Sequence, residues 1–265
     1  MSRGIFVLAL IILCFSPFIL FAGSIGNSIE PIGASRFAIA FDGNYATERD
    51  FEAGGVSTSG ATVIDLDIDK LYETGLKFIF GAGDYINIYA KGGVAKLKEA
   101  QFDLSSGQSL EVESEEDIVY GGGFNAVYKF GYEEEHFVGI GGEYSHFEVD
   151  ASDVDIAGAK AVDIAGQIKK TEYQGNLYFG SRRELSYNLS IVPYVCGFWN
   201  KLNLESKDLQ YTSGGTFIVS FDNDADDEIG AGVGLGINMG ESFIFNVEGR
   251  FIAGTSVSAG GTIKF

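Results

Sequence analysis

Residues 229–239 read IGAGVGLGINM, and every odd-numbered position in this run is apolar. Successive side chains of a β-strand point to opposite sides, so this alternation is typical of a strand with one apolar face. A helix would instead repeat its apolar face every 3.6 residues. The opposite face of this run consists mainly of glycine. The stretch therefore predicts a β-strand with one apolar face and one face of small residues.

The same alternation recurs in ten segments, which places the chain in the all-β class. The short connections between them lie at 82–84, 131–135, 181–185 and 240–241, and a tight turn lies near 254. Long, acidic, Ser/Asp/Gly-rich connections lie at 48–61, 100–110, 150–160 and 204–227. Short turns at one end and long loops at the other are typical of an up-and-down antiparallel barrel that crosses a bilayer. We predict a transmembrane β-barrel of about ten strands, with eight or twelve as alternatives.

The two faces of the predicted strands differ in charge. One face is apolar, and we expect it to point outward to lipid. The other face carries the predicted lumen charges Asp42, Glu73, Lys77, Lys91, Lys129, Glu143, Glu172, Glu248, Arg250 and Lys264. A charged interior behind an apolar exterior inverts the arrangement of a soluble β-protein. Aromatic residues near strand ends are predicted to lie at the headgroup boundaries: Tyr72, Phe80, Phe130, Tyr144, His146, Trp199 and Phe265.

The first 24 residues are predicted to be a cleaved signal peptide. Arg3 precedes an apolar stretch that contains Pro17 and ends at small residues, with cleavage expected within 22–24. A retained membrane helix is the alternative, because residues 4–22 are about long enough to span a bilayer. Removal of the peptide would leave residues 25–265 as a single exported barrel domain. We therefore expect it in the outer membrane.

Composition excludes several classes of function. The chain has 18 basic and 37 acidic residues and a formal net charge of −19, which argues against binding to nucleic acid. Its two cysteines, Cys14 and Cys196, cannot form a four-cysteine zinc site, and we expect no cofactor. Cys196 has inward parity and is predicted to be a small packing residue.

The last strand carries a resemblance to a known class of proteins. Its alternating residues are Val257, Ala259, Gly261, Ile263 and the terminal Phe265. This ending resembles the assembly signal of small bacterial outer-membrane β-barrel proteins, and residues 76–81 with 84–89 resemble a hairpin of their porin-like members. The resemblance implies two partners, outer-membrane lipid and the barrel assembly machinery. It leaves the activity and the oligomeric state open.

Two functions are compatible with such a barrel. The first is porin-like diffusion of small solutes, with inward glycines widening a narrow lumen. An acidic vestibule above Glu73 would then favour cations. Its predicted inward members are Asp65, Asp67, Asp69, Glu111, Glu113, Glu115 and Asp117. The second is a plugged structural or surface-adhesion barrel that acts through acidic extracellular loops. In that case the glycines would serve close packing or strand curvature.

Catalysis and metal binding have little support in the sequence. Ser145 beside His146 is the one serine–histidine candidate, and neighbours on a strand point to opposite faces, so we predict no enzyme. Asp222, Asp224 and Asp226 resemble the start of a calcium loop. However, Asp227 stands where such a loop needs glycine, and Val233 where it needs a bidentate glutamate. We predict no defined metal site, although the acidic loops could attract divalent cations.

Overall fold

The computed structural model describes residues 31–47, 49–57, 62–156, 159–212, 216–224, 228–251 and 255–265. The predicted signal peptide lies outside these residues. Among the described residues, none belongs to a helix long and apolar enough to cross a membrane. The one helical element that they contain is a 3₁₀ turn, Tyr132–Glu134.

The described chain is one antiparallel sheet. Its strands are β1 (Phe37–Thr47), β2 (Arg49–Ser57), β3 (Thr62–Gly81), β4 (Ile86–Leu104), β5 (Ser109–Ser114), β6 (Asp117–Phe130), β7 (His136–Ile156), β8 (Ala159–Lys160), β9 (Val162–Ser181), β10 (Arg183–Ser186), β11 (Leu189–Thr212), β12 (Thr216–Asp224), β13 (Glu228–Met239), β14 (Phe243–Phe251) and β15 (Thr255–Lys264).

Ten of these strands close into a ring. The order is β1-β3-β4-β6-β7-β9-β11-β13-β14-β15, and β15 pairs back onto β1, from Ala38 opposite Lys264 to Thr47 opposite Thr255. Closure pairs the backbone of every strand on both sides, which a sheet in lipid requires because no water is available to satisfy a free edge. The prediction of an antiparallel barrel of about ten strands is confirmed.

Five of these strands, β3, β4, β7, β9 and β11, continue beyond this ring at the end opposite the short turns, where β2, β5 and β12 join them. The β14–β15 hairpin ends early, at Phe251 and Thr255, and above it β2 pairs directly with β12, Gly55 lying opposite Phe221. A second, eight-stranded ring of β2, β3, β4, β5, β7, β9, β11 and β12 results, which we call the outer tier. The expectation that residues 48–61, 100–110, 150–160 and 204–227 are mainly loops is therefore wrong, because much of each segment extends the strands.

The outer tier has an apolar interior. Its core includes Leu66, Ile68, Ala100, Phe102, Leu110, Val112, Val149, Val154, Leu204, Leu209 and Val219, none more than 4% exposed. On β3, inward residues are odd-numbered below the tier and even-numbered within it, because the register with β4 shifts between Ile68 and Leu71. Such a bulge adds one residue to a strand and reverses the facing of all residues beyond it.

Below the tier, the outside of the barrel is an apolar belt. Its exposed side chains include Phe37, Phe78, Ile88, Phe124, Ile140, Leu177, Phe179, Val195, Val233, Leu235 and Val247. Aromatic pairs lie toward both ends: Tyr144 with Tyr173 and Tyr45 with Tyr72 near the tier, and Phe37 with Phe80 near the short turns. An apolar band between two aromatic girdles fits the hydrocarbon layer of a membrane.

Candidate functional site

A layer of charged side chains crosses the interior at mid-barrel, and Glu143 on β7 lies near its centre. Lys91 on β4 donates a hydrogen bond to Glu143, and Lys77 on β3 lies 3.2 Å from the same carboxylate. The Tyr89 hydroxyl donates to Glu143 Oε2 at 2.7 Å, and Lys77 also pairs with Asp42 on β1 at 3.1 Å. Glu143 and its partners thus link four strands, β1, β3, β4 and β7.

A second group of charges is centred on Lys170 of β9. Its ammonium lies 2.7 Å from Glu73 on β3 and 2.7 Å from Glu172 on its own strand, and Lys170 is 1% exposed. Asn200 on β11 donates to Glu172 at 2.8 Å. The Lys170–Glu73 pair spans the lumen, because β9 and β3 are not neighbours in the ring. Lys170 shares the parity of Glu172 but was not among the predicted lumen charges.

The third group lies on β14 and β11. Arg250 Nε is 2.6 Å from Glu248 Oε1, and the hydroxyl of Tyr194 donates to Glu248 Oε2 at 2.7 Å. The guanidinium also lies over the Phe198 ring, 4.9 Å from its centre. Each buried charge in this group therefore has a partner, which a buried ion needs to offset its loss of hydration.

Within the described residues, the charged side chains of this layer border small cavities. Two cavities of about 20 Å³ each border it, and both are lined by Glu73 and Lys91. A cavity of this size holds about one water molecule. In the part of the chain that the structure describes, the layer contains five acids (Asp42, Glu73, Glu143, Glu172, Glu248) and four bases (Lys77, Lys91, Lys170, Arg250).

Aromatic rings also fill space that inward glycines leave. The ring of Tyr194 covers Gly234, and a Cβ on that glycine would lie 2.0 Å from Tyr194 Cζ. Four further directly opposed pairs share this arrangement: Tyr178 with Gly139, Phe137 with Gly180, Phe198 with Gly230, and Tyr89 with Gly123. Of the two predicted roles for the inward glycines, the structure favours close packing at these positions.

The predicted acidic vestibule is wrong for Asp67, Asp69, Glu111, Glu113 and Glu115, whereas Asp117 keeps the inward parity of Val119. Glu111 and Glu113 on β5 are exposed and alternate with the buried Leu110 and Val112. Asp67 and Asp69 likewise lie beside the inward Leu66 and Ile68, Glu115 is exposed between β5 and β6, and Asp117 is half-buried. The bulge on β3 turns Asp67 and Asp69 outward, and the separate strand β5 places Glu111 and Glu113 on its outer face. Asp65 lies on β3, and its side chain is outside the described set.

The acids on the outside of the outer tier lie next to one another. Glu111 is directly opposite Asp155, and Glu113 is opposite Asp153. Partial burial raises the pKa of Glu111, and the charges of Glu99, Asp155 and Glu113 raise it further. This surface therefore carries like charges at close range.

The remaining predicted residues have varied positions. Lys129 lines a charged cleft of about 380 Å³ at the short turns, with Glu133, Glu135, Arg182, Arg183 and Glu184, and Lys264 is half-buried at the same end. Cys196 is 5% exposed and packs among inward apolar residues, as expected. On the last strand, Val257, Ile263 and Phe265 are exposed, with Ala259 and Gly261 between them.

The weak metal and catalytic candidates are not assembled into sites. Asp222 and Asp224 belong to β12, opposite Glu205 and Asn203, and an extended strand does not wrap around a cation as a calcium loop does; Asp226 lies outside the described residues. Ser145 is buried, whereas the His146 ring packs against Tyr120 and bonds to Thr171. Ser145 and His146 therefore point to opposite sides of β7.

No protein-family model matches the chain, and no curated protein matches it. Several solved structures are similar to the chain. The translocator domain of the autotransporter NalP from Neisseria meningitidis is 12% identical with a TM-score of 0.45, over 88% of this chain and 89% of that one. The outer membrane protease OmpT from Escherichia coli is 11% identical with a TM-score of 0.43, over 94% and 97%. An outer membrane channel from Pseudomonas putida F1 is 10% identical with a TM-score of 0.39, over 92% and 100%.

At these identities and TM-scores the likeness assigns no function. The chain's own architecture is nevertheless specific. It combines a closed antiparallel ring, an apolar belt between aromatic girdles, and a polar and charged interior. These are the properties of barrels in the bacterial outer membrane. The chain is an outer-membrane β-barrel protein.

Proposed function

We propose that this protein is a closed barrel that acts at the cell surface through its outer tier. The observation that carries the proposal is the packed apolar core of that tier, in which Leu66, Phe102, Val112 and Leu204 are all at most 1% exposed. A lumen that conducts ions must be continuously wet. Below the core, the charged layer and the rings over glycine fill the interior further.

The outer tier offers an acidic surface for such a role. We expect the end with the short turns to face the periplasm, because periplasmic turns of these barrels are short. The outer tier would then face outward. The outward acids Glu111, Glu113, Asp153 and Asp155 would favour a positively charged partner, including divalent cations at a lipid surface. The proposal includes no catalytic role. Insertion by the barrel assembly machinery through the last strand, β15, is part of it.

A second candidate is a narrow channel that conducts after rearrangement. It is favoured by the two water-sized polar cavities that meet at Glu73 and Lys91. Water or small ions would pass these two side chains if the core of the outer tier loosened. The excess of one acid over the bases in the charged layer would give such a channel a weak preference for cations.

Single-channel recording of refolded residues 25–265 separates the two candidates. In planar bilayers with a potassium chloride gradient, the closed barrel gives no steps, even though heat-modifiable mobility on gels shows that it has folded. Steady steps whose reversal potential favours potassium would overturn the closed barrel and establish the channel. A Phe102→Ala variant serves as a comparison, because it opens the core at its largest ring.

A further inference from the structure

The segment that precedes β1 bends back into the barrel at its short-turn end. Ile32 is 2% exposed, whereas residues 34–37 are exposed. Positive φ angles at Gly33 (95°) and Ser35 (58°) make the bend. The amide of Arg36 closes it by donating to the carbonyl of Gly33 at 3.3 Å. We call residues 31–36 the N-terminal latch.

The latch has a specific seat inside the barrel wall. Ile32 packs with Ala38, Ala40 and Ile79, and Tyr89 packs against the same cluster. The backbone amide of Ile32 donates to Asn87 Oδ1 at 3.1 Å, and Asn87 is itself 1% exposed. The apolar side chain of Ile32 and this buried hydrogen bond help to hold the segment in the mouth.

The barrel wall is shaped to accept the latch. A Cβ on Gly81 would lie 1.8 Å from the carbonyl oxygen of Gly33 and 3.3 Å from Ile32 Cγ1. Any larger residue at position 81 would therefore displace the segment. Ser35 and Gly81 are also joined through backbone, with the Ser35 amide donating to the Gly81 carbonyl at 2.9 Å.

The latch lies next to the charged layer. Tyr89 borders the Ile32 cluster on one side and donates to Glu143 on the other. We propose that the N-terminal latch is a seal, which closes the short-turn mouth and keeps water from the Glu143 ion pairs. Its release would expose this half of the interior while the outer tier stays closed. The inference holds for either function proposed above.

Thiol alkylation in the folded barrel tests the latch. The reporter is Ala40→Cys in a Cys196→Ala background, since Ala40 is 0% exposed beneath Ile32. Ile32→Gly should raise the alkylation rate by a small water-soluble maleimide at least tenfold. The matched control is Ala34→Gly, an exposed position of the same bend, and it should leave the rate unchanged.

A second reporter distinguishes unsealing from general loosening. Leu204→Cys lies in the core of the outer tier and should stay slow in the Ile32→Gly variant. Acceleration at both reporters, or at neither, would overturn the proposal. If Ile32→Gly does not fold, Gly81→Ala takes its place, because it displaces the latch while keeping Ile32. Neither reporter depends on conductance, so failure here is separate from failure of the proposed function.

Discussion

Tyr194 and Gly234 face each other across β11 and β13, and the phenol ring occupies the space where a side chain at position 234 would be. From there the Tyr194 hydroxyl reaches Glu248 at 2.7 Å, in the charged layer. Because Gly234 has no side chain, the Tyr194 ring on the neighbouring strand can lie over it and reach Glu248. The glycine is part of the structure that fills the lumen.

Gly234→Ala should destabilise the barrel by about 1–3 kcal/mol, the usual range for overpacking a filled interior. The new methyl group would meet the Tyr194 ring, whose carbon Cζ lies 2.0 Å from the position of the Cβ. The free energy of unfolding in urea, measured on protein refolded into lipid vesicles, checks this. Gly249→Ala is the control, since a Cβ there meets nothing within 4 Å. Equal effects of both substitutions would contradict the argument.

Tyr194→Phe keeps the ring over Gly234 but removes the hydroxyl that donates to the buried Glu248. Loss of a hydrogen bond to a buried carboxylate should lower the free energy of unfolding by about 2 kcal/mol. The same urea titration measures it, and Tyr187→Phe, at a fully exposed tyrosine (100%), is the control. A Tyr194→Phe barrel as stable as the parent would show that the hydroxyl does not stabilise the layer.

Much of the barrel could be predicted from the sequence, because lipid imposes a strict period of two on a membrane strand. The ten strands, the outward Phe78 and Val233 and the inward Lys77 and Glu143 all follow from it. The same rule failed in the outer tier. Bulges there reverse the facing of a strand, and a single sequence does not show where a bulge occurs.

Other features depended on contacts between distant parts of the chain. The burial of Ile32 requires Gly81, 49 positions further along, to leave room for the bend. The pairing of β2 with β12 arises because the β14–β15 hairpin ends early. The inward position of Lys170 could have been predicted from parity, since it lies two residues from the inward Glu172. Its partner Glu73, by contrast, is 97 positions away.

Glu143→Gln should be among the most destabilising changes in the charged layer, at about 3–5 kcal/mol. It removes the negative charge that Lys77 and Lys91 share. Among the pairs described above, only Lys77 then keeps a partner, which is Asp42. Glu148→Gln is the matched control on the same strand. Its carboxylate is partly exposed and pairs with Lys169 at 3.0 Å, so its loss should cost about 0–1 kcal/mol.

The ranking of these two variants is the test. Thermal melting in detergent, followed by the gel mobility of the folded form, should place Glu143→Gln far below the parent and Glu148→Gln close to it. A Glu143→Gln barrel that melts with the parent would mean that the remaining side chains repartner the two lysines. The layer would then be adaptable, and the channel candidate would gain support.

Glu111→Gln should stabilise the protein at pH 7 and have no effect in acid. Burial and the neighbouring acids Glu99, Asp155 and Glu113 raise the pKa of Glu111, so the folded state binds its proton more tightly than the unfolded state. This contribution favours folding at low pH. It is lost as the pH rises from the ordinary value of 4.5 through the raised pKa.

The gain at pH 7 should be about 0.2–1 kcal/mol, the range for relieving a like-charged pair directly opposite on a sheet. Melting temperatures at pH 7 and pH 3.5 check it, with Glu116→Gln, an exposed acid between β5 and β6, as the control. The advantage of Glu111→Gln should disappear at pH 3.5, where the carboxyl is protonated in both states. An advantage that persists in acid would show that the effect comes from packing rather than from the charge opposite Asp155.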